Sequence, residues 1–244
     1  MKLLIDSILS VVFLIYFGII LLIFHGIQWL AFNLFGAKAH QATVNWLNFF
    51  IVYGWSLTGT LPKFKKEYTL PTERPIIFIA NHKSMFDIPG IIWNWRQHTP
   101  LFVSKKELAK GIPSISYNLR VGKAALINRK DGKSAVLEIA KLGKHIQSNN
   151  YSAVIFPEGT RARTGVLKDF QVGGVAVLLK RCPNALIVPI SIKGTYDFNP
   201  KGLFPLTSFS KISFTSLKPI EPADLSPDEL VQNAKEQIQF SLKN

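Results

Sequence analysis

PIIFIANHKSMFD, residues 75–87, joins a short apolar run to a polar turn. Pro75 to Ala80 is uninterrupted and rich in isoleucine, the pattern of a strand buried on both faces of a sheet. Asn81-His82 follows directly, and Asp87 stands five residues after His82. In one continuous helix five steps would put the two about 140° apart. They meet if a turn precedes a helix beginning near Asp87, with Pro89 in its first turn and Ile88, Ile91 and Ile92 packing inward. Such a pair is a working base: the carboxylate holds one imidazole nitrogen and its tautomer, leaving the other to take a proton. The plain alternative is an ordinary turn with a solvated His and a helix-capping Asp.

Outward from this stretch, further short β-type runs occur at Leu101 to Ser104, Ala124 to Asn128, Tyr151 to Phe156, Leu186 to Lys193 and Lys211 to Leu217. They alternate with helical patterns, which predicts an α/β fold with a mixed central sheet flanked by helices. Gly132 to Ser148 is the clearest helix, opening at Asp131 as N-cap and repeating Val136, Ile139, Ala140, Gly143 and Ile146 on one face. Ser226-Pro227-Asp228-Glu229 reads as a capping box starting a C-terminal helix. Gly173-Gly174 predicts a tight turn into a buried helix.

Four strand candidates end in polar chemistry: Asn81-His82, Lys105-Lys106, Arg129-Lys130 and Glu158-Gly159-Thr160-Arg161. Parallel strands would bring these ends to one crevice, whereas an antiparallel partner would carry its cluster to the other edge. The fourth, within Phe156-Pro157-Glu158-Gly159-Thr160-Arg161, offers a glycine, a hydroxyl and a guanidinium within four residues, which suits a phosphate. Glu158 either holds Arg161 or accepts from a substrate hydroxyl. The alternative is a surface turn with an ion pair.

The 244 residues carry 29 Lys+Arg against 15 Asp+Glu, a net charge of +14, yet 48% are hydrophobic, which excludes disorder. Only Lys2, Asp6 and Lys38 are charged within residues 1–60, and Ser7 to Ala37 carries no charge. Leu3 to Phe24 supplies the roughly 20 apolar residues of a membrane-grade helix. A polar break at Gly36 to Gln41 precedes a second stretch, Val44 to Leu57, whose Trp46, Tyr53 and Trp55 favour the headgroup level. Residues 1–60 are therefore expected to form a membrane-associated helical hairpin, and 61–244 a catalytic α/β domain. A pair of buried core helices is the alternative; a cleaved signal peptide fits poorly. Lys2, Lys63, Lys65 and Lys66 outnumber Lys38, which puts the domain on the cytoplasmic side.

The single cysteine, Cys182, excludes an intramolecular disulfide framework, and the five histidines show no HxxxH or HExxH spacing, so no metal is expected. No GxGxxG, P-loop or nucleic-acid signature accompanies the charge, and Lys63, Lys65 and Lys66 adjoin the apolar hairpin, so membrane lipid is favoured for the basic surface over an acidic carrier protein, and nucleic acid is not expected.

In order along the chain, NHKSMFD, the Lys105-to-Gly111 block, GKAALINR (residues 122–129), FPEGTR and Val188-Pro189-Ile190 resemble the motif blocks of the lysophosphatidic acid acyltransferase family of glycerolipid acyltransferases. The resemblance covers about residues 60–220. It implies a glycerolipid acyltransferase fold and acyl transfer from a thioester, acyl-CoA or acyl-carrier protein, to the free hydroxyl of lysophosphatidic acid at a membrane, without a cofactor. Carried over by position, His82 matches the general base and Asp87 its orienting partner. Glu158, Gly159, Thr160 and Arg161 match the acceptor-binding block, and Lys105 and Arg129 match further basic positions for the glycerol phosphate. Asn128 departs from the usual Asp, and Gln171 from a frequent Lys. A thioester is already activated, so the enzyme needs a base and oxyanion donors but no nucleophile of its own. The absence of a GxSxG elbow follows, and Ser84 and Cys182 are expected to be structural. Two other readings remain: a same-family enzyme using glycerol 3-phosphate or another lysolipid, and a non-catalytic scaffold binding phosphatidic acid.

Overall fold

The run at 75–80 forms strand β2 (Ile76–Ala80), with all five residues buried. The computed structural model describes residues 1–161, 166–223 and 225–243. The other strands are β1 (Pro62–Lys66), β3 (Pro100–Lys105), β4 (Ala125–Ile127), β5 (Ser152–Ile155), β6 (Leu186–Lys193) and β7 (Ile212–Ser216). They form one sheet in the order β1-β7-β6-β2-β5-β3-β4. β2 pairs in parallel with β5 and β6, and β3 in parallel with β4 and β5. β7 is antiparallel to β6 and parallel to β1, so the sheet is mixed. The helices are α1 (Lys2–Gly54), α2 (Asp87–Asn94), α3 (Ile115–Val121), α4 (Gly132–Asn149), α5 (Gly173–Arg181), α6 (Thr195–Phe198) and α7 (Pro227–Lys243).

Alternation along β2 divides the core into two layers. Ile76, Phe78 and Ala80 pack with α2 and with Phe13, Val44 and Val52 of α1. Ile77 and Ile79 pack with Ile139 of α4, Val175 and Leu178 of α5 and Leu230 and Ala234 of α7. The caps form as expected. Asp131 accepts from the Ser134 amide at 3.1 Å, and Ser226 and Glu229 exchange backbone-to-side-chain bonds of 2.8 and 3.3 Å. One face is corrected: Val136 is exposed, and Leu142 joins Ile139, Gly143 and Ile146 in the buried stripe of α4.

β1 lies outside the expected strands. Its PKFKK sequence carries Lys63, Lys65 and Lys66, expected to flank the hairpin, and only Phe64 packs inward, stacked on Phe214 at 5.4 Å. Lysines on an outer strand also blunt its open edge.

α1 bends at Gly36, whose φ of 82° is open to glycine, giving arms at residues 2–35 and 37–54. The arms pack through Leu21, Phe24, Leu47 and Ile51, and Tyr16 Oη donates to the Phe50 carbonyl at 3.0 Å. One flank of the first arm is docked on the α/β body along most of its length. Asp6 accepts from the amide and hydroxyl of Ser208, and Ser10 Oγ accepts from the Leu206 amide at 2.8 Å. Phe13 packs against Phe86 and Phe198, Ser114 Oγ donates to the Leu21 carbonyl at 2.7 Å, and Asn33 reaches Tyr117 Oη at 3.4 Å. The opposite flank exposes Ile8, Ile15, Leu22, Trp29, Leu34 and Phe35. α1 is long and apolar enough to cross a membrane by length and composition. Of the aromatic residues expected at headgroup level, Trp46 and Tyr53 are exposed, but Trp55 is wholly buried against Phe86 and Phe198.

Candidate active site

β2, β5, β3 and β4 are adjacent and parallel, so their polar ends share the carboxyl edge of the sheet. At the end of β2, Asn81 clamps the neighbouring strand: its amide donates to the Ile192 carbonyl at 2.9 Å and accepts from the Ile192 amide at 2.8 Å. The chain then turns, and α2 starts at Asp87.

That turn brings His82 and Asp87 together. His82 Nδ1 lies 2.8 Å from Asp87 Oδ2, which also accepts from the amides of Lys83 and Ser84 at 2.8 and 2.9 Å. Asp87 is fully buried, and the His82 side chain is 11% exposed. With Nδ1–H directed at the carboxylate, Nε2 carries the free lone pair, and it makes no hydrogen bond among the described residues. The His82 ring also stacks on Phe156, centroids 4.1 Å apart and planes 18° apart. Carboxylate and ring together hold the imidazole's orientation.

Glu158 is buried and spends both oxygens on backbone. Oε1 accepts from the His82 amide at 2.7 Å and Oε2 from the Lys168 amide at 3.0 Å. It therefore ties the β5 loop to the β2 loop rather than holding Arg161. Gly159 sits at φ 69°, where a side chain would be strained, and closes a turn by donating to the Phe156 carbonyl at 3.0 Å. Thr160 Oγ1 accepts from Lys168 Nζ at 2.8 Å. Arg161 is exposed.

Arg129, after β4, is also exposed but partly desolvated, which lowers its pKa; the Glu107 charge opposes this, and the nearby Arg161 charge adds to it. Two guanidiniums close enough to feel each other favour an anion between or beside them. Lys105 is exposed at the end of β3, its side chain without a hydrogen bond or ion pair among the described residues.

Neither rival nucleophile is suited to attack. Ser84 is buried, donates to Asn199 Oδ1 at 2.6 Å and accepts from the Phe86 amide at 3.0 Å, stiffening the turn before α2. Burial pushes the Cys182 thiol up to about 11. The two departures play backbone parts: Asn128 Oδ1 accepts from the Lys130 amide at 3.1 Å, and the Gln171 amide donates to the Pro157 carbonyl at 2.9 Å. Sequence reasoning missed Phe156 as a ring platform, and also Lys168 and Asn199, whose partners lie 8 and 115 residues away.

A family model described as Acyltransferase matches residues 62–193, which contain every one of these groups except Asn199. The chain belongs to the acyltransferase family. Among its relatives, a 1-acyl-sn-glycerol-3-phosphate acyltransferase of Chlamydomonas reinhardtii is 26% identical over 193 residues, covering 77% of this chain and 56% of that protein. One of the same name from Cocos nucifera is 33% identical over 121 residues, covering 49% of this chain and 38% of the relative. The chain thus spans about half the length of these curated relatives. The crystal structure of a 1-acyl-sn-glycerophosphate (LPA) acyltransferase, PlsC, from Thermotoga maritima matches with a TM-score of 0.81 at 23% identity, covering 100% of this chain and 97% of that one. The acyltransferase fold, α1 included, is therefore common to both.

Proposed function

We propose that this acyltransferase-family protein moves a fatty acyl group from an acyl thioester to the free hydroxyl of 1-acylglycerol 3-phosphate, giving phosphatidic acid. The observation that carries the reading is the His82–Asp87 pair, held at 2.8 Å at the sheet's carboxyl edge with Nε2 unengaged. Nε2 of His82 takes the acceptor's hydroxyl proton as that oxygen attacks the thioester carbonyl. Asp87 stabilises the imidazolium so formed. The tetrahedral intermediate then collapses, the C–S bond breaks, and the departing thiolate takes the proton back from His82.

Arg161 and Arg129, with Lys105 beside them, hold the acceptor's phosphate, and Thr160 and Gly159 shape the loop that carries Arg161. Glu158 positions His82 through its amide. The relatives' names, 1-acyl-sn-glycerol-3-phosphate acyltransferase, support this acceptor.

Residues 1–60 are the membrane-associated part and 61–244 carry the chemistry. The hairpin lies in one leaflet: a helix docked on the body from Asp6 to Asn33 cannot cross a bilayer without drawing the α/β body in with it, while its exposed apolar flank is free to enter lipid. The lysine bias of Lys2, Lys63, Lys65 and Lys66 over Lys38 supports a cytoplasmic body.

The test is a panel. Purified full-length protein is given acyl-CoA or acyl-carrier protein with lysophosphatidic acid, glycerol 3-phosphate and other lysolipids. Turnover should be greatest with lysophosphatidic acid. Preference for another acceptor would reassign the substrate, and no turnover with any pair would favour a phosphatidic-acid-binding scaffold.

A further inference from the structure

The strand order puts the acceptor candidates on one side of His82. Arg161, Lys105 and Arg129 follow β5, β3 and β4, which lie in sequence to one side of β2. β6 lies on the other side, and its last residue is Lys193. There a separate groove of about 500 Å³ is lined by Lys83, Lys193, Asp197, Lys235, Gln239 and Lys243, among others. Lys83 adjoins His82 in sequence, so the groove begins beside the dyad.

Its charge is only partly answered by the protein. Lys235 is paired with Asp169 at 2.7 Å. Lys193 is half-buried, and the side chains of Lys193 and Lys243 have no hydrogen bond or ion pair among the described residues. Asp197 is the one carboxylate among the named lining residues. A partly buried ammonium with no ion pair among the described residues holds an incoming anion better than one on open surface does. The groove's wall is α7, which packs on the sheet face opposite α1. It therefore lies away from the exposed apolar flank of the hairpin, where a lipid acceptor would enter.

We propose that this groove is the donor subsite, with Lys193 and Lys243 binding the phosphate of a phosphopantetheine arm whose thioester reaches His82. The inference rests on the acyl-transfer reading. Coenzyme A and acyl-carrier protein both carry that arm, so the phosphate is the shared feature. Two basic clusters on opposite sides of one base would let a water-soluble donor and a membrane-borne acceptor approach without competing for the same cations.

Lys193→Gln, Lys243→Gln and the double variant separate this idea from the function itself. Binding of coenzyme A and of holo-acyl-carrier protein to full-length protein is measured by titration, alongside the KM of each donor and of lysophosphatidic acid. The single variants should weaken one of the two probes by up to about fivefold and the double variant by about tenfold or more, as expected for partly exposed charge contacts. The matching donor KM should rise while the acceptor KM stays within about twofold, and its dependence on ionic strength should flatten in the double variant. Which probe weakens identifies the donor. Lys243→Gln, at the exposed end of α7, keeps the test open if Lys193→Gln fails to fold. Unchanged binding of both probes in a folded double variant, wild-type protein that binds neither, or a rise confined to the acceptor KM overturns the proposal. Loss of probe binding in a protein that shows no turnover would keep the groove as a phosphopantetheine site and reject the acyl-transfer reading alone.

Discussion

At Asp87 three donors meet one carboxylate oxygen, Oδ2, and the Phe156 ring stacks on the imidazole, so the orientation of His82 is set from within the protein. Arg161, proposed above to hold the acceptor's phosphate, is exposed. Arg161→Lys keeps the charge but loses the planar fork. Steady-state kinetics should show a raised acceptor KM and a lowered kcat, because the hydroxyl drifts from His82, with a much smaller effect on the donor KM. A large donor effect with an unchanged acceptor KM would move Arg161 to the donor site. His98 supplies a pH prediction away from the chemistry. It is 2% exposed, and burial first and the Lys66 charge second pull its pKa from 6.5 to about 4. The folded value lies below the unfolded one, so this contribution to stability is complete above pH 6.5 and is lost as pH falls toward 4. Unfolding curves across that window should lose less stability on acidification in His98→Phe than in wild type, and equal slopes would show that His98 is not the group responsible.

Among the elements, α2 transmits packing to the site, since its first residue is Asp87 and a Cβ at Gly90 would run into the Phe214 ring of β7. Gly90→Ala should therefore destabilise the fold by about 1–3 kcal/mol through overpacking and lower kcat by shifting Asp87 from His82. Lost stability without any change in kcat per folded molecule would show that α2 gives locally without moving its start. This element was legible because everything it needs lies between Ile76 and Ile92: a buried strand, a turn, a proline and an inward stripe. The alternation of apolar runs likewise carried β2 to β7 and the two capped helices. β1 was not legible, because its packing depends on one phenylalanine among lysines and on a partner strand about 150 residues away. Val136 was misassigned on α4 because periodicity fixes a stripe only to within a neighbouring position, and packing against α5 selected Leu142. At the candidate site the His–Asp pair could be read from local spacing, whereas Phe156, Lys168 and Asn199 are brought in by the fold and carry no signal of their own.

At the scale of the molecule, the hairpin and the α/β body share one apolar core through Phe13, Val44, Val52 and Trp55, so the two pack as one unit. A hairpin held in one leaflet makes a specific prediction. The protein should stay with membranes through high-salt washing, since apolar burial does not depend on ionic strength. A thiol introduced at Ala37, in a Cys182→Ser background and in sealed vesicles, should not react with an impermeant maleimide added on the side opposite the body. Labelling from that side would mean that the hairpin spans. The account's central claim is that His82 takes the acceptor's proton. Its most direct measurement is turnover of lysophosphatidic acid by full-length His82→Ala, with the fold checked by its unfolding curve. A fall of about 10² to 10⁴ in kcat with an unchanged fold is the expected result; near-wild-type turnover in the folded variant would contradict it.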